Sequence, residues 1–216
     1  AFETIKFVAD PKVVRGDFLR KFSFIIPTEK LGDLGDVSVS DGKLVVKTDF
    51  EGRTTRKFNF LLEEGMRHLV NRLNNKPVTY VHRGSGIPLI GNAAFGLVDR
   101  NSSLIEVKPI TGCNVSCVFC SVVDDKRFYD FVVEAEYLIE ECQKLVEFKG
   151  VNHVEIIINA HGEPTLYADL TVLVRGLAKI PGVVKVSLIT NGTLLTAKKL
   201  DELREAGLSQ VNLSLN

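Results

Sequence analysis

Val154-Glu155-Ile156-Ile157-Ile158-Asn159 is an almost unbroken apolar run, and Val183-Val184-Lys185-Val186-Ser187-Leu188-Ile189-Thr190 follows it in kind. A strand in the middle of a parallel sheet is covered on both faces, so its sequence reads as a continuous Val/Ile stretch instead of an alternation. Outward from this pair, residues 104–110 and 210–215 are predicted as the flanking strands. Residues 131–148, 168–180 and 196–206 are predicted as the intervening helices, the last with Gly207 as its C-cap. Alternating strands and helices require a parallel sheet with right-handed crossovers, either an α/β barrel or an open sheet. The sequence stops at Asn216 directly after the fourth strand, with no helix to cover that edge, so a truncated version of one of these two architectures is expected.

Upstream the pattern changes. Short apolar runs at residues 4–8, 21–26, 37–40, 43–48 and 55–60 are separated by turn signals, and Asp41-Gly42 suits a type I′ hairpin turn. Leu61, Leu62, Met66, Leu69, Val70 and Leu73 recur at helical spacing until Asn74-Asn75-Lys76-Pro77 stops them. Residues 78–100 alternate short strands with glycine turns, and no GxxxxGK[ST] phosphate loop follows Gly84-Ser85-Gly86. The expectation is a smaller β-rich domain with one helix over residues 1–100, then the α/β portion over residues 101–216.

The 27 basic and 27 acidic residues cancel, which argues against a strongly basic nucleic-acid binder or an acidic solvating tail. Residues 1–109 carry a net +4 and residues 110–216 a net −4, so the first half keeps a small positive excess for a polyanion. No run approaches the roughly 18 apolar residues of a membrane-spanning helix, and the first residues lack the basic-apolar-small pattern of a signal peptide, so a soluble cytoplasmic protein without membrane contact is expected. Three of the four cysteines sit together and Cys142 stands apart, a pattern for metal in a reducing compartment and not for a disulfide framework.

Cys113-Asn114-Val115-Ser116-Cys117-Val118-Phe119-Cys120 spells C-x3-C-x2-C just beyond the first parallel strand, at the sheet end where α/β folds place ligands. Three thiolates can each hold one iron of a cubane cluster and leave the fourth iron open for chemistry. Structural zinc would need a fourth ligand, and Cys142, His153 and His161 lie outside the usual knuckle spacing. An electron-transfer site normally has four cysteines per cluster.

With Gly162-Glu163-Pro164 after the second strand, Thr190-Asn191-Gly192 after the third, and Val211-Asn212-Leu213-Ser214-Leu215-Asn216 as the fourth, residues 101–216 resemble the radical S-adenosylmethionine (radical SAM) superfamily. Within it the chain looks like an archaeal group of predicted Fe–S oxidoreductases. The resemblance implies a partial radical SAM barrel in which Cys113, Cys117 and Cys120 bind a [4Fe–4S] cluster whose free iron is chelated by S-adenosylmethionine. It also implies one-electron cleavage of that cofactor to a 5′-deoxyadenosyl radical, which takes a hydrogen atom from a substrate. Phe119 matches an aromatic of the family that lies beside the adenine, with packing under the loop as the alternative. Glu163 is expected to meet the cofactor's ammonium, with Gly162 admitting close backbone approach and Pro164 stiffening the turn. Thr190, Asn191 and Ser214 are expected around the methionine carboxylate, although Asn191-Gly192 also reads as a tight turn before an N-cap at Thr196. His161 stands where glycine is common, and Asn216 where aspartate is common.

The implied partners are an electron donor of the ferredoxin or flavodoxin type and an unassigned substrate, with RNA or a protein as the classes that the additional domain suggests. The competing reading is a non-catalytic α/β binding module stabilised by a structural zinc or Fe–S loop. His68, His82 and His153 read as packing or surface histidines, and Cys142 as a small apolar side chain on a helix. Asp124-Asp125-Lys126-Arg127 and Glu134, Glu136, Glu140 and Glu141 read as solvated faces.

Overall fold

The computed structural model describes residues 5–72, 75–120 and 130–215. The charged run at 124–127, the stop signal at Asn74, Thr4 and Asn216 lie outside the described residues. The chain divides into two compact units, residues 1–80 and 81–216.

The first unit contains β1 (Ile5–Ala9), β2 (Val13–Phe18), β3 (Phe22–Pro27), α1 (Thr28–Gly32), β4 (Asp36–Ser40), β5 (Lys43–Lys47), α2 (Glu51–Arg67) and β6 (Leu69–Asn71), and β7 (Pro77–Val81) ends it. Among its described residues there are two α-helices where one was expected. The antiparallel order is β1-β2-β3-β6-β7, with β4 and β5 as a separate hairpin turned at Asp41-Gly42, both at positive φ as a type I′ turn requires. Phe22, Phe24 and Ile26 of β3 are buried, as are Leu61, Leu62 and Gly65 of α2. The Phe24 ring fills a slot that only glycines leave open, since a Cβ at Gly16 or Gly65 would fall 2.2 or 2.4 Å from it. Residues 55–60, expected as a strand, belong to α2. That stretch fits a period of two and also opens a longer 3.6-residue period through Leu61, Leu62 and Gly65, and docking on β3 selects the longer one. Residues 69–71, expected at a helix end, instead form β6.

The second unit takes in residues 81–100, which had been assigned by sequence to the first domain. The reason is a strand pairing: β8 (Gly96–Asp99) runs antiparallel to β9 (Leu104–Lys108), with Gly96 opposite Lys108. After the cysteine loop come β10 (Asp130–Val133), α3 (Ala135–Lys149), β11 (Val154–Ile158), α4 (Leu170–Leu177), β12 (Val183–Thr190), α5 (Ala197–Glu205) and β13 (Gln210–Leu213). The predicted helix over 131–148 thus begins only at Ala135. Its first residues are drawn into a strand because Val132 bridges Ile110 and the Phe131 amide donates to Thr111 Oγ1.

The sheet order is β13-β12-β11-β9-β8, and β9, β11, β12 and β13 are mutually parallel, as the apolar runs require. Ile105, Val107, Val154, Ile156, Ile158, Val186 and Leu188 form one buried face of the sheet. The apolar stripes of α3 and α4 are buried too, and Gly176 lets α3 come close because a Cβ there would meet Ile139 at 2.2 Å. Alternation puts Glu106, Lys108, Ile157, Ser187 and Asn212 on the opposite face. Thr196 caps α5 by accepting from the Lys199 amide, and Gly207 follows the helix at φ +105°. The segments leaving the C-terminal ends of β9, β11 and β12 gather at one end of the sheet. Among the described residues no helix is long and apolar enough to cross a membrane.

Candidate functional site

The loop after β9 carries Cys113, Cys117 and Cys120 as free, half-buried thiols, and a turn closes its second half through the Cys120 amide on the Cys117 carbonyl at 3.0 Å. Burial pushes the Cys113 thiol above its ordinary value, and the nearby charges of Glu163 and Cys117 push the same way against backbone amides that lower it. A thiolate at this position therefore gains from a bound cation. Among the described residues no three His, Cys, Asp or Glu side chains converge as ligands of one metal ion. Cysteines of a cubane bind separate irons and have no need to converge in that way.

The segment after β11 lies directly against the base of this loop. Gly162 is required there, because a Cβ would sit 2.1 Å from the Gly112 carbonyl oxygen, and the Glu163 amide donates to that same carbonyl at 2.9 Å. Pro164 is buried and opens a short 3-10 turn whose N-cap is Glu163.

Glu163 is only 2% exposed. Its Oε1 accepts from the Thr165 amide at 2.9 Å, Thr165 Oγ1 at 2.5 Å and Thr190 Oγ1 at 2.6 Å, and its Oε2 accepts from the Asn191 amide at 2.8 Å. Among the described residues every one of these donors is neutral. A carboxylate has about four acceptor positions, so Oε1 is fully used and Oε2 keeps room for one more donor. Among the described residues no cation meets this carboxylate, and a buried carboxylate is stabilised by a cationic donor.

Thr190 and Asn191, at the end of β12, are brought to Glu163 as well as forming the tight turn. Thr190 Oγ1 also accepts from the Gly192 amide at 3.0 Å, and Asn191 Oδ1 accepts from the Thr193 amide at 3.0 Å and from its hydroxyl at 2.7 Å. Asn191 Nδ2 donates to Asn114 Oδ1 at 3.1 Å, and Asn114 Nδ2 donates to Thr193 Oγ1 at 2.9 Å. The cysteine loop is thereby latched to the β12 loop. Asn114, Thr165 and Thr193 were not singled out by sequence. Of these, Asn114 carries a sequence signal, a polar residue directly beside Cys113 in the cysteine motif.

Two expected site residues stand apart from this knot. Phe119 is 63% exposed in the turn before Cys120, so it does not pack beneath the loop. Ser214 is exposed one residue beyond β13, tied in through its amide on the Thr190 carbonyl at 2.9 Å. His161 is half-buried. Cys142 is fully buried on α3, where burial pushes its thiol up to about 12, as suits an apolar packing residue.

A family profile described as the Radical SAM superfamily matches residues 107–216. Among curated proteins, the chain is 43% identical over 155 residues to the uncharacterized protein MJ0103 of Methanocaldococcus jannaschii, covering 69% of this chain and 35% of that protein. It is 35% identical over 119 residues to a GTP 3',8-cyclase of Listeria welshimeri, covering 54% of this chain and 34% of that one. Among solved structures it is similar to the crystal structure of BtrN in complex with AdoMet and 2-DOIA, with a TM-score of 0.43 and 26% identity over 54% of this chain and 46% of that one. The chain spans about a third of the length of the curated relatives it matches.

Proposed function

The chain belongs to the radical SAM superfamily, and from that premise we propose that it is the cluster-binding and cofactor-binding part of an enzyme that cleaves S-adenosylmethionine reductively. Members of this superfamily use a [4Fe–4S] cluster and S-adenosylmethionine. When bound, these groups supply a one-electron cleavage of a sulfonium and hence a carbon radical that takes hydrogen from an unactivated position. In our reading Cys113, Cys117 and Cys120 hold the cluster, and an electron donor of the ferredoxin or flavodoxin type feeds it.

The donor set fits: three free thiols on one short loop match a cubane with one iron left without a protein ligand. The observation that carries the reading is the buried Glu163 carboxylate near Cys113, met among the described residues by neutral donors and retaining one acceptor position on Oε2. An ammonium or sulfonium ligand offsets that charge. Gly162 lets the two backbones meet, Thr190 and Asn191 orient the carboxylate, and Asn114 holds the cysteine loop to the same frame.

Anaerobic reconstitution tests the proposal. About four irons per chain, lost in Cys117→Ala, and 5′-deoxyadenosine formed from S-adenosylmethionine with dithionite are the expected results. A single zinc with no iron, or a loaded full-length protein that forms no 5′-deoxyadenosine, would overturn it.

A further inference from the structure

In a parallel ladder a residue's amide and carbonyl bond to two residues of the neighbouring strand that flank its register partner. Ile158 of β11 is opposite Val107 of β9, so Asn159 falls opposite Lys108. The Asn159 amide duly donates to the Val107 carbonyl at 3.0 Å. Its carbonyl is due a bond from the amide of residue 109, but residue 109 is proline and has no N–H. The donor comes from elsewhere: Lys108 Nζ reaches the Asn159 carbonyl at 3.1 Å.

Lys108 is only 5% exposed, an unusual place for an ammonium. Beside it is Glu106, itself 7% exposed, whose Oε2 lies 3.1 Å away as an ion pair with no hydrogen bond aligned on it. Arg100 closes the other side, donating to Glu106 Oε1 from Nε at 2.8 Å and from Nη2 at 2.6 Å. Apolar residues of similar volume would commonly give at least equal stability in such a place. The chain of charges ends on a carbonyl that the β9–β11 ladder leaves without its amide donor, at the point where residues 160–163 leave the sheet.

We infer that Lys108 is a positioning residue: its ammonium substitutes for the amide missing at Pro109 and so fixes where the Ala160-His161-Gly162-Glu163 segment departs toward the cysteine loop. The segment is then held at both ends, by Lys108 on Asn159 and by the Glu163 amide on Gly112. Its relevance to cofactor binding rests on the function proposed above, whereas the positioning does not.

Lys108→Met removes the donor, and Pro109→Ala restores a backbone N–H at the place the ladder wants it. In metal-free protein, Lys108→Met is expected to raise amide hydrogen exchange at Gly162 and Glu163 about tenfold, the size expected for one lost bond to a charged group. Amides of α3 and α4 should not change. In reconstituted protein the same variant should weaken S-adenosylmethionine binding about tenfold at unchanged iron content. Adding Pro109→Ala should return both quantities most of the way, a rescue that a merely structural role for the lysine would not produce. Should Lys108→Met fail to fold around the stranded Glu106 carboxylate, Glu106→Leu/Lys108→Met serves as the background for the same comparison. Unchanged exchange at Gly162 and Glu163, or no rescue by Pro109→Ala, overturns the inference. Wild-type protein that binds no S-adenosylmethionine overturns the proposed function instead, and the exchange comparison still decides the role of Lys108.

Discussion

Glu163→Gln exchanges one carboxylate oxygen for an amide nitrogen without altering shape, and its cost follows from the four donors around the carboxylate. Oε1 faces three donors and Oε2 faces one, so the glutamine NH2 turns toward the Asn191 amide. One charge-assisted bond is lost and two donors are set against each other in a buried place, while the three remaining bonds weaken to neutral strength. A bond to a charged group contributes about 1.5–3 kcal/mol and an unsatisfied buried donor costs about 1–3 kcal/mol. With partial relaxation the expected loss is about 2–4 kcal/mol, or roughly 5–15 °C in the calorimetric melting temperature of the second unit. Thr190→Val removes one of the three donors to Oε1 and should cost about 1 kcal/mol. Because both changes act on one network, the double variant should lose less than the sum of the two. A Glu163→Gln protein that melts within about 2 °C of wild type, or strict additivity with Thr190→Val, would refute the claim that this carboxylate knots the two loops together.

Gly162→Ala should break the contact with the cysteine loop even though alanine is the smallest change available, because backbone and not a flexible side chain lies 2.1 Å from the new Cβ; iron retained after reconstitution is the measurement, and a markedly lower yield is expected. Native protein without a cluster should show three thiols to a colorimetric disulfide reagent at pH 8 and a fourth only after unfolding, since Cys142 is fully buried with its thiol pushed up to about 12. Glu106 governs an acid limb of stability: burial alone would raise its carboxyl, but the Arg100 hydrogen bonds and the close Lys108 and Arg100 charges outweigh it and hold it below its ordinary 4.5. A group depressed on folding contributes stability above its unfolded value and loses it as pH falls through the folded one. Denaturant titrations below pH 4.5 should therefore show a shallower loss of stability for Glu106→Gln than for wild type.

What the sequence by itself determined is whatever depends on near neighbours along the chain. The parallel strands at β11 and β12 were readable because burial on both faces demands an apolar run in each strand. The cysteine triplet, the Asp41-Gly42 turn and the Thr196 cap were readable because their geometry is complete within a few residues. Only the tertiary structure decided which partners meet. The Asn114 latch joins positions 77 and 79 residues apart, and Lys108 and Asn159 are 51 apart. Such pairings depend on strand register, where a slip of one residue turns every side chain to the other face. The same non-local selection turned residues 55–60 into helix and drew residues 81–100 into the second unit. It also gave the proline after β9 its consequence, because an amide missing at one position matters only once a particular carbonyl has been placed opposite it.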